Sequence, residues 1–154
     1  MVSYQASSQN QALILIAPGF CEEPVVQCLS QMREAGLAVS LVGLSAGLIR
    51  SLHGVVMLPD YSLEQLSPVG SPRLVIVPGG RQCVSALLAD PRTHKLLDDT
   101  LEHGGFVAAT TAAQLVLAEA SIPKSGREVN FLRQEGLEMG EYVKQLIYRM
   151  IQNK

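Results

Sequence analysis

The chain has 154 residues, with 12 Lys and Arg against 14 Asp and Glu and a formal net charge of −2. That length suits one domain that buries a core without disulfides or metals as staples. The near-neutral balance excludes a global electrostatic pull toward nucleic acid or an anionic membrane. Hydrophobic residues make up 47% and charged residues 17%, far from the composition of a disordered chain. A mean hydropathy of +0.21 fits strands covered on both faces.

Three cysteines, Cys21, Cys28 and Cys83, form no CxxC pair. An odd, scattered set argues against a disulfide framework and against a zinc site, so no metal and no cofactor are expected. Residues 1–11, MVSYQASSQNQ, have neither a basic n-region nor an apolar h-region and read as a flexible tail. The longest apolar run, Phe106 to Ala118, is shorter than the roughly 20 residues of a membrane span. A soluble, cytoplasmic protein is the expectation.

ALILIA (Ala12 to Ala17) predicts a buried strand. Apolar Val25, Cys28, Leu29 and Met32 recur at spacings of three and four, predicting a helix that stops near Gly36. AVSLVGL (Ala38 to Leu44) resumes as a strand and completes a βαβ unit. LIRSLHGVVML reads as two short strands about a His53-Gly54 turn, ended by Pro59-Asp60, with SLEQL as a short helical turn.

RLVIVPGG (Arg73 to Gly80) is a third parallel strand stopped by its Pro-Gly-Gly turn. The next helix carries its own punctuation: Asp90 at the N-cap, Pro91 at the first position, Leu96, Leu97 and Leu101 on one face, and Gly104 as its stop. FVAAT is a fourth buried strand, and AAQLVLAEA predicts a helix apolar almost all round and therefore buried. Past Ser121 one short strand, Glu128 to Leu132, precedes a terminal helix with Met139, Tyr142, Val143, Leu146, Ile147, Met150 and Ile151 on one stripe.

In an open parallel sheet, ligands bind outside the carboxyl ends of the strands, where the strand order changes direction. Three loops meet this condition. Residues 18–24 bring Cys21, Glu22 and Glu23; residues 78–83 bring consecutive N–H groups at Gly79, Gly80 and Arg81, a turn of the kind that cradles an oxyanion. Residues 109–112 bring Thr110 and Thr111 to a helix N-terminus, with Thr110 read as facing the core. The expected ligand contacts are Gly79, Gly80, Thr111, Ala112 and Glu22.

The segments ALILIAPGFCEE, REAGLAVSLVGL, VVMLPDYSLEQL, LVIVPGG and GGFVAATTAA, in this order and spacing, resemble the ThiJ/PfpI superfamily. That superfamily includes the Parkinsonism-associated deglycase and is related to class I glutamine amidotransferases. The likeness covers about Ala12 to Ala118. It implies an α/β fold, a flavodoxin-like three-layer sandwich with a mostly parallel central sheet and a small hairpin excursion. One domain spans residues 1–154, with 121–154 divergent. A homodimer is implied, as in many relatives.

The resemblance also implies a nucleophilic cysteine at the strand–helix elbow, in a pattern like A-x-C-A/H-G, where the helix N-terminus stabilises a thiolate. Here that position falls on Thr111, Ala112 follows it, the family glycine falls on Ala113, and no histidine lies beyond His103. The family's activating carboxylate falls on Val25 when aligned backward from the helix, and near Glu22 or Glu23 when aligned forward from Gly19.

Two functions stay open. The first is a catalytically degenerate domain that binds a small ligand or a protein partner. The second is a hydrolase or a glyoxalase/deglycase-type enzyme that uses a displaced nucleophile, Thr111 or Cys83, with Glu22 or Glu23 as candidate base. Each residue has a plainer reading. Thr111 is then a small elbow residue whose hydroxyl caps its helix, Cys83 a small buried side chain, and the two glutamates first-turn acids favoured by the helix dipole. Cys28 belongs to the core, and Cys21, beside two carboxylates, has a disfavoured thiolate. Descent from the sensory portion of a transcription regulator also fits the missing thiol, but direct DNA binding is not expected without a basic stripe.

Overall fold

Residues 11–66, 71–123, 126 and 128–152 are described in a computed structural model. Strand β1 (Gln11–Ile16) is buried along its whole length, and β2 (Ala38–Gly43) pairs with it in parallel from Gln11 opposite Ala38 to Ile16 opposite Gly43. Between them, α1 (Glu22–Glu34) buries Val25, Cys28 and Met32, the predicted stripe, and Gly36 takes a left-handed φ of +82° just past its end. Gln11 belongs to β1 rather than to a tail. Its Nε2 donates to Ser40 Oγ at 2.6 Å, a buried polar pair bridging β1 and β2. The remainder of the expected tail, residues 1–10, lies outside the described residues.

The hairpin forms as predicted from β3 (Ile49–Arg50) and β4 (Val56–Met57), paired antiparallel. The two residues of β5 (Tyr61–Ser62), which the Pro59-Asp60 break hid from the sequence reading, return to the main sheet against β2. Asp60 helps place them: its Oδ2 accepts the Leu41 N–H at 2.8 Å. Strand β6 (Leu74–Val77) is followed by α2 (Arg81–Leu88), a helix the sequence reading did not assign. Its buried Cys83, Val84 and Leu87 do carry helical spacing, but across fewer than three turns the signal is short.

Helix α3 (Pro91–Glu102) starts as its punctuation predicts, with Asp90 accepting the Arg92 N–H at 2.8 Å. Then come β7 (Phe106–Ala109) and α4 (Thr111–Glu119). Helix α4 is not buried all round: Leu115 is 70% exposed, and only Ala113, Val116 and Leu117 are buried. Small and apolar composition did not separate its covered face from its open one. The late strand is β8 (Phe131–Arg133), starting three residues later and ending one residue later than expected, because Glu128–Asn130 form a 3-10 turn. Helix α5 (Met139–Gln152) buries Tyr142, Val143, Leu146 and Met150.

The main sheet runs β5-β2-β1-β6-β7-β8, and every pairing in it is parallel. Helices α1 and α5 pack together on one face, and α2 packs with α3 and α4 on the other. Chain order moves outward in opposite directions from β1 and β6, so the switch point lies between these two strands. Among the described residues no helix is long and apolar enough to cross a membrane.

Tyr142 ties α5 to this sheet. The ring is buried, and the hydroxyl lies 2.6 Å from Leu132 O and 3.0 Å from Ala109 O, sharing one proton between two neighbouring strands. A Tyr142→Phe substitution keeps the ring and strips the donor. It is expected to lower unfolding stability by about 1–3 kcal/mol, read as a shifted urea midpoint at unchanged slope.

Candidate functional site

Three loops converge above the carboxyl ends of β1, β6 and β7, beside the switch point. Between them opens a cleft of about 960 Å³, whose lining includes Cys21, Glu22, Glu23, Pro78, Thr110, Thr111, Ala112 and Gln134. The first and second loops are joined backbone to backbone: Cys21 N–H donates to Gly79 O at 3.2 Å.

Gly79 and Gly80 have left-handed φ values of +105° and +92°. A Cβ on Gly79 would lie 2.8 Å from Ala112 Cβ and 2.9 Å from Thr110 Oγ1, and one on Gly80 would strike Gly19 O. Both glycines are buried and neither lines the cleft. Both positions require glycine because three backbones meet there. Arg81 lies at the start of α2, with its guanidinium paired to Glu119.

At the elbow the two threonines divide. Thr110 is 3% exposed, and its Oγ1 donates to Pro78 O at 2.7 Å, so it faces inward as expected. Thr111, the first residue of α4, is exposed on the cleft wall. Its N–H and its hydroxyl both donate to Gln134 Oε1, at 2.9 and 3.2 Å. Gln134 in turn donates from Nε2 to Leu137 O at 2.7 Å, which holds its amide in place. The reading of Thr111 as a self-capping residue is corrected accordingly. Thr110 holds the N-cap position without a side-chain cap bond, and the first N–H of the helix is satisfied from 23 positions away.

Glu22 and Glu23 stand in the first turn of α1 and line the opposite wall. Both Glu22 carboxylate oxygens lie 3.1 Å from His53 Nδ1, which brings the β3–β4 hairpin turn to the cleft. The Glu22 side chain is only 13% exposed. Its pKa is held below the usual carboxylate range, first by a bond to its own backbone N–H and then, against partial desolvation, by His53 and Ser51. Val25, the alternative carboxylate position, is a fully buried core residue. The first loop thus supplies carboxylates at Glu22 and Glu23 only.

Neither His53 nor Gln134 was singled out as a site residue from the sequence. His53 sits 31 positions from Glu22 and Gln134 sits 23 from Thr111, and no local pattern links either pair. His94 and His103 are spent elsewhere, on Leu88 O and Asp99 O. Among the described residues no group of three or more His, Cys, Asp or Glu is arranged to hold a metal.

The cysteines separate by environment. Cys21 lines the cleft with its thiol pushed up, chiefly by burial and further by Glu22 and Glu23, as the neighbouring carboxylates predict. Cys28 is core. Cys83 is 0% exposed inside α2, and burial pushes its thiol up to about 12. It does not reach the cleft, which corrects its candidacy as a displaced nucleophile; the thiolate an attack requires is both inaccessible and disfavoured.

An all-parallel flavodoxin-like α/β sandwich with a strand–elbow–helix cleft at its switch point is the class that this fold and site define. Within that class, the chain belongs to the DJ-1/PfpI family, whose model matches residues 10–134. It is 33% identical over 116 residues to Protein dj-1beta of Drosophila melanogaster, covering 73% of this chain and 60% of that protein. It is 32% identical over 109 residues to the Parkinson disease protein 7 homolog of Danio rerio, covering 70% and 58%. The matched region thus spans about three fifths of these relatives' length.

Among solved structures, a mutant of a DJ-1 superfamily protein from Salmonella typhimurium superposes with a TM-score of 0.78 at 19% identity, covering 92% of this chain and 90% of that one. Drosophila melanogaster DJ-1beta gives 0.76 at 23% identity, covering 94% and 95%.

Thiol labelling checks the cysteine environments. In native buffer near neutral pH one thiol per chain, Cys21, is expected to react with a water-soluble disulfide reagent, and slowly. Cys28 and Cys83 are expected to react only after denaturant is added, and mass mapping of the labelled peptides would distinguish the three.

Proposed function

We propose that this chain is a catalytically degenerate DJ-1/PfpI domain whose cleft binds a small ligand rather than transforming one. One observation carries the reading: Gln134 Oε1 accepts both the N–H and the hydroxyl of Thr111, the residue at the elbow. A threonine nucleophile needs a base that takes its proton, and a neutral carboxamide oxygen is not one. The same contact uses the elbow N–H that would otherwise face a developing oxyanion. Glu22, the shielded carboxylate of the cleft, is turned to His53. What remains is a roomy, partly polar cavity whose catalytic position is filled by the chain's own side chain.

The second part of the proposal is assembly as a homodimer through the β3–β4 hairpin. Leu48, Leu52, Val55, Val56 and Leu58 are all exposed within this one excursion, half of the ten large exposed hydrophobics among the described residues. A two-stranded ribbon outside the main sheet also keeps open edges, which a second copy can cover in an isologous contact. The mass measured by light scattering is expected to be that of two chains, and a Leu52→Asp, Leu58→Asp variant is expected to return it to one. A wild-type monomer at tens of micromolar would refute this part.

The enzymatic alternative is tested directly. With methylglyoxal and with small amides, turnover is expected to stay at the uncatalysed rate, and Thr111→Ala is expected to change nothing. Turnover that Thr111→Ala abolishes would overturn the proposal.

A further inference from the structure

The rim of the cleft carries a contact in which one partner is fixed and the other is free to turn. Glu22 is the fixed partner: its carboxylate is held by its own backbone N–H and by Ser51, and its side chain is only 13% exposed. His53 is the free partner, 76% exposed at the tip of the β3–β4 hairpin, with Nδ1 3.1 Å from both Glu22 oxygens. Both residues line the cleft, so the position of the imidazole changes its shape and its polarity. The hairpin itself does not depend on this contact. Leu52 N–H donates to Phe20 O at 2.8 Å and Gly19 N–H to Arg50 O at 3.0 Å, which docks the stem on the first loop. Ser51 closes the turn, donating its N–H to Val55 O at 2.7 Å and accepting the Val55 N–H on Oγ at 2.8 Å. These bonds carry no titrating proton, which leaves the His53 side chain as the part that responds to pH.

Charge decides how firmly that side chain is held. Histidine is the side chain that ordinarily changes charge between pH 5 and 8. Glu22, with its pKa held below the usual carboxylate range, stays ionised across that window. A protonated imidazole therefore meets the carboxylate in a charge-assisted bond, and a neutral one keeps at most a hydrogen bond of about half that strength. The other ionisable groups around the turn are Cys21 and Glu23 on either side of Glu22, and Arg50, whose Nη1 donates to Gly54 O. Burial and the two glutamates push the Cys21 thiol up, so it stays neutral there, and of these residue types histidine alone switches charge in the window.

We propose that His53 is a proton-controlled gate at the rim of the cleft: protonated, it is latched to Glu22, and neutral, it swings out and leaves the Glu22 carboxylate open to the cavity. The inference rests on the reading of the cleft as a ligand site and adds how access to it is regulated. Closure is greatest at the acid end of the pH 5 to 8 window. It is lost above as His53 gives up its proton, and far below as Glu22 takes one.

The test reads the His53 side chain in the full chain without added ligand, by NMR: three-bond couplings give its χ1 populations, and NOEs from the ring to Glu22 identify the latched one. From pH 5 to pH 8 the ratio of latched to released side chain is expected to fall by about twofold to fivefold, the range of an exposed ion pair. High salt is expected to shrink the fall. Glu22→Gln keeps an acceptor oxygen and removes the charge, and is expected to abolish the pH response. Glu23→Gln removes the neighbouring charge and is expected to keep most of it.

A rotamer ratio that stays constant from pH 5 to pH 8 would overturn the gate, as would the same pH response in Glu22→Gln. So would an equal loss of response in Glu23→Gln, which marks the general field of α1 instead of a latch. No ligand enters this measurement, so its failure leaves the reading of the cleft as a ligand site standing. Turnover dependent on Thr111 would end that reading without moving the His53 populations.

Discussion

The cleft depends on one close approach. Gly80 lies so near the carbonyl of Gly19 that no Cβ fits between them, and Cys21 N–H closes onto Gly79 O beside it. This contact joins the loop after β1 to the loop after β6, the two strands between which the chain reverses its direction across the sheet. It sets where α1 begins, and with it the positions of Glu22 and Glu23. Gly79 extends the same constraint to the elbow, since its missing side chain leaves room for Thr110 and Ala112.

The elbow is then held from the far end of the chain. Tyr142 of α5 binds the carbonyls of Ala109 and Leu132, the last residue of β7 and the middle residue of β8. Gln134, just beyond β8, reaches the first residue of α4. Gln134 is the last residue that the family model matches and Tyr142 lies beyond it, so the closure and the brace of the site come from the end of the matched region and past it. At the elbow the chain has the Thr111 hydroxyl, with the Gln134 carboxamide bonded to it.

Much of the framework was legible in local pattern. The β1 run, the stripe of Val25, Cys28 and Met32, and the Asp90-Pro91 helix start each place their own residues, because burial and capping act over a few positions. The failures have the same origin. Helix α2 is only eight residues long, too few for its period to stand out, and β5 has two residues whose pairing with β2 is a tertiary fact. The exposed Leu115 of α4 shows that an apolar composition does not say which side of a helix meets the sheet.

By itself the sequence determined the parallel α/β framework, the strand–elbow–helix junction at Thr110 and Thr111, and the inward course of Thr110. These follow from hydrophobic periodicity and from backbone rules that reach no further than a turn. Only the tertiary structure decided that Cys83 is sealed in the core, that Gly79 and Gly80 leave no room for a Cβ, and that His53 meets Glu22 while Gln134 meets Thr111. Those pairs lie 31 and 23 positions apart. A hydrogen bond depends on separation in space over about 3 Å, and the fold sets that separation while the chain's order does not.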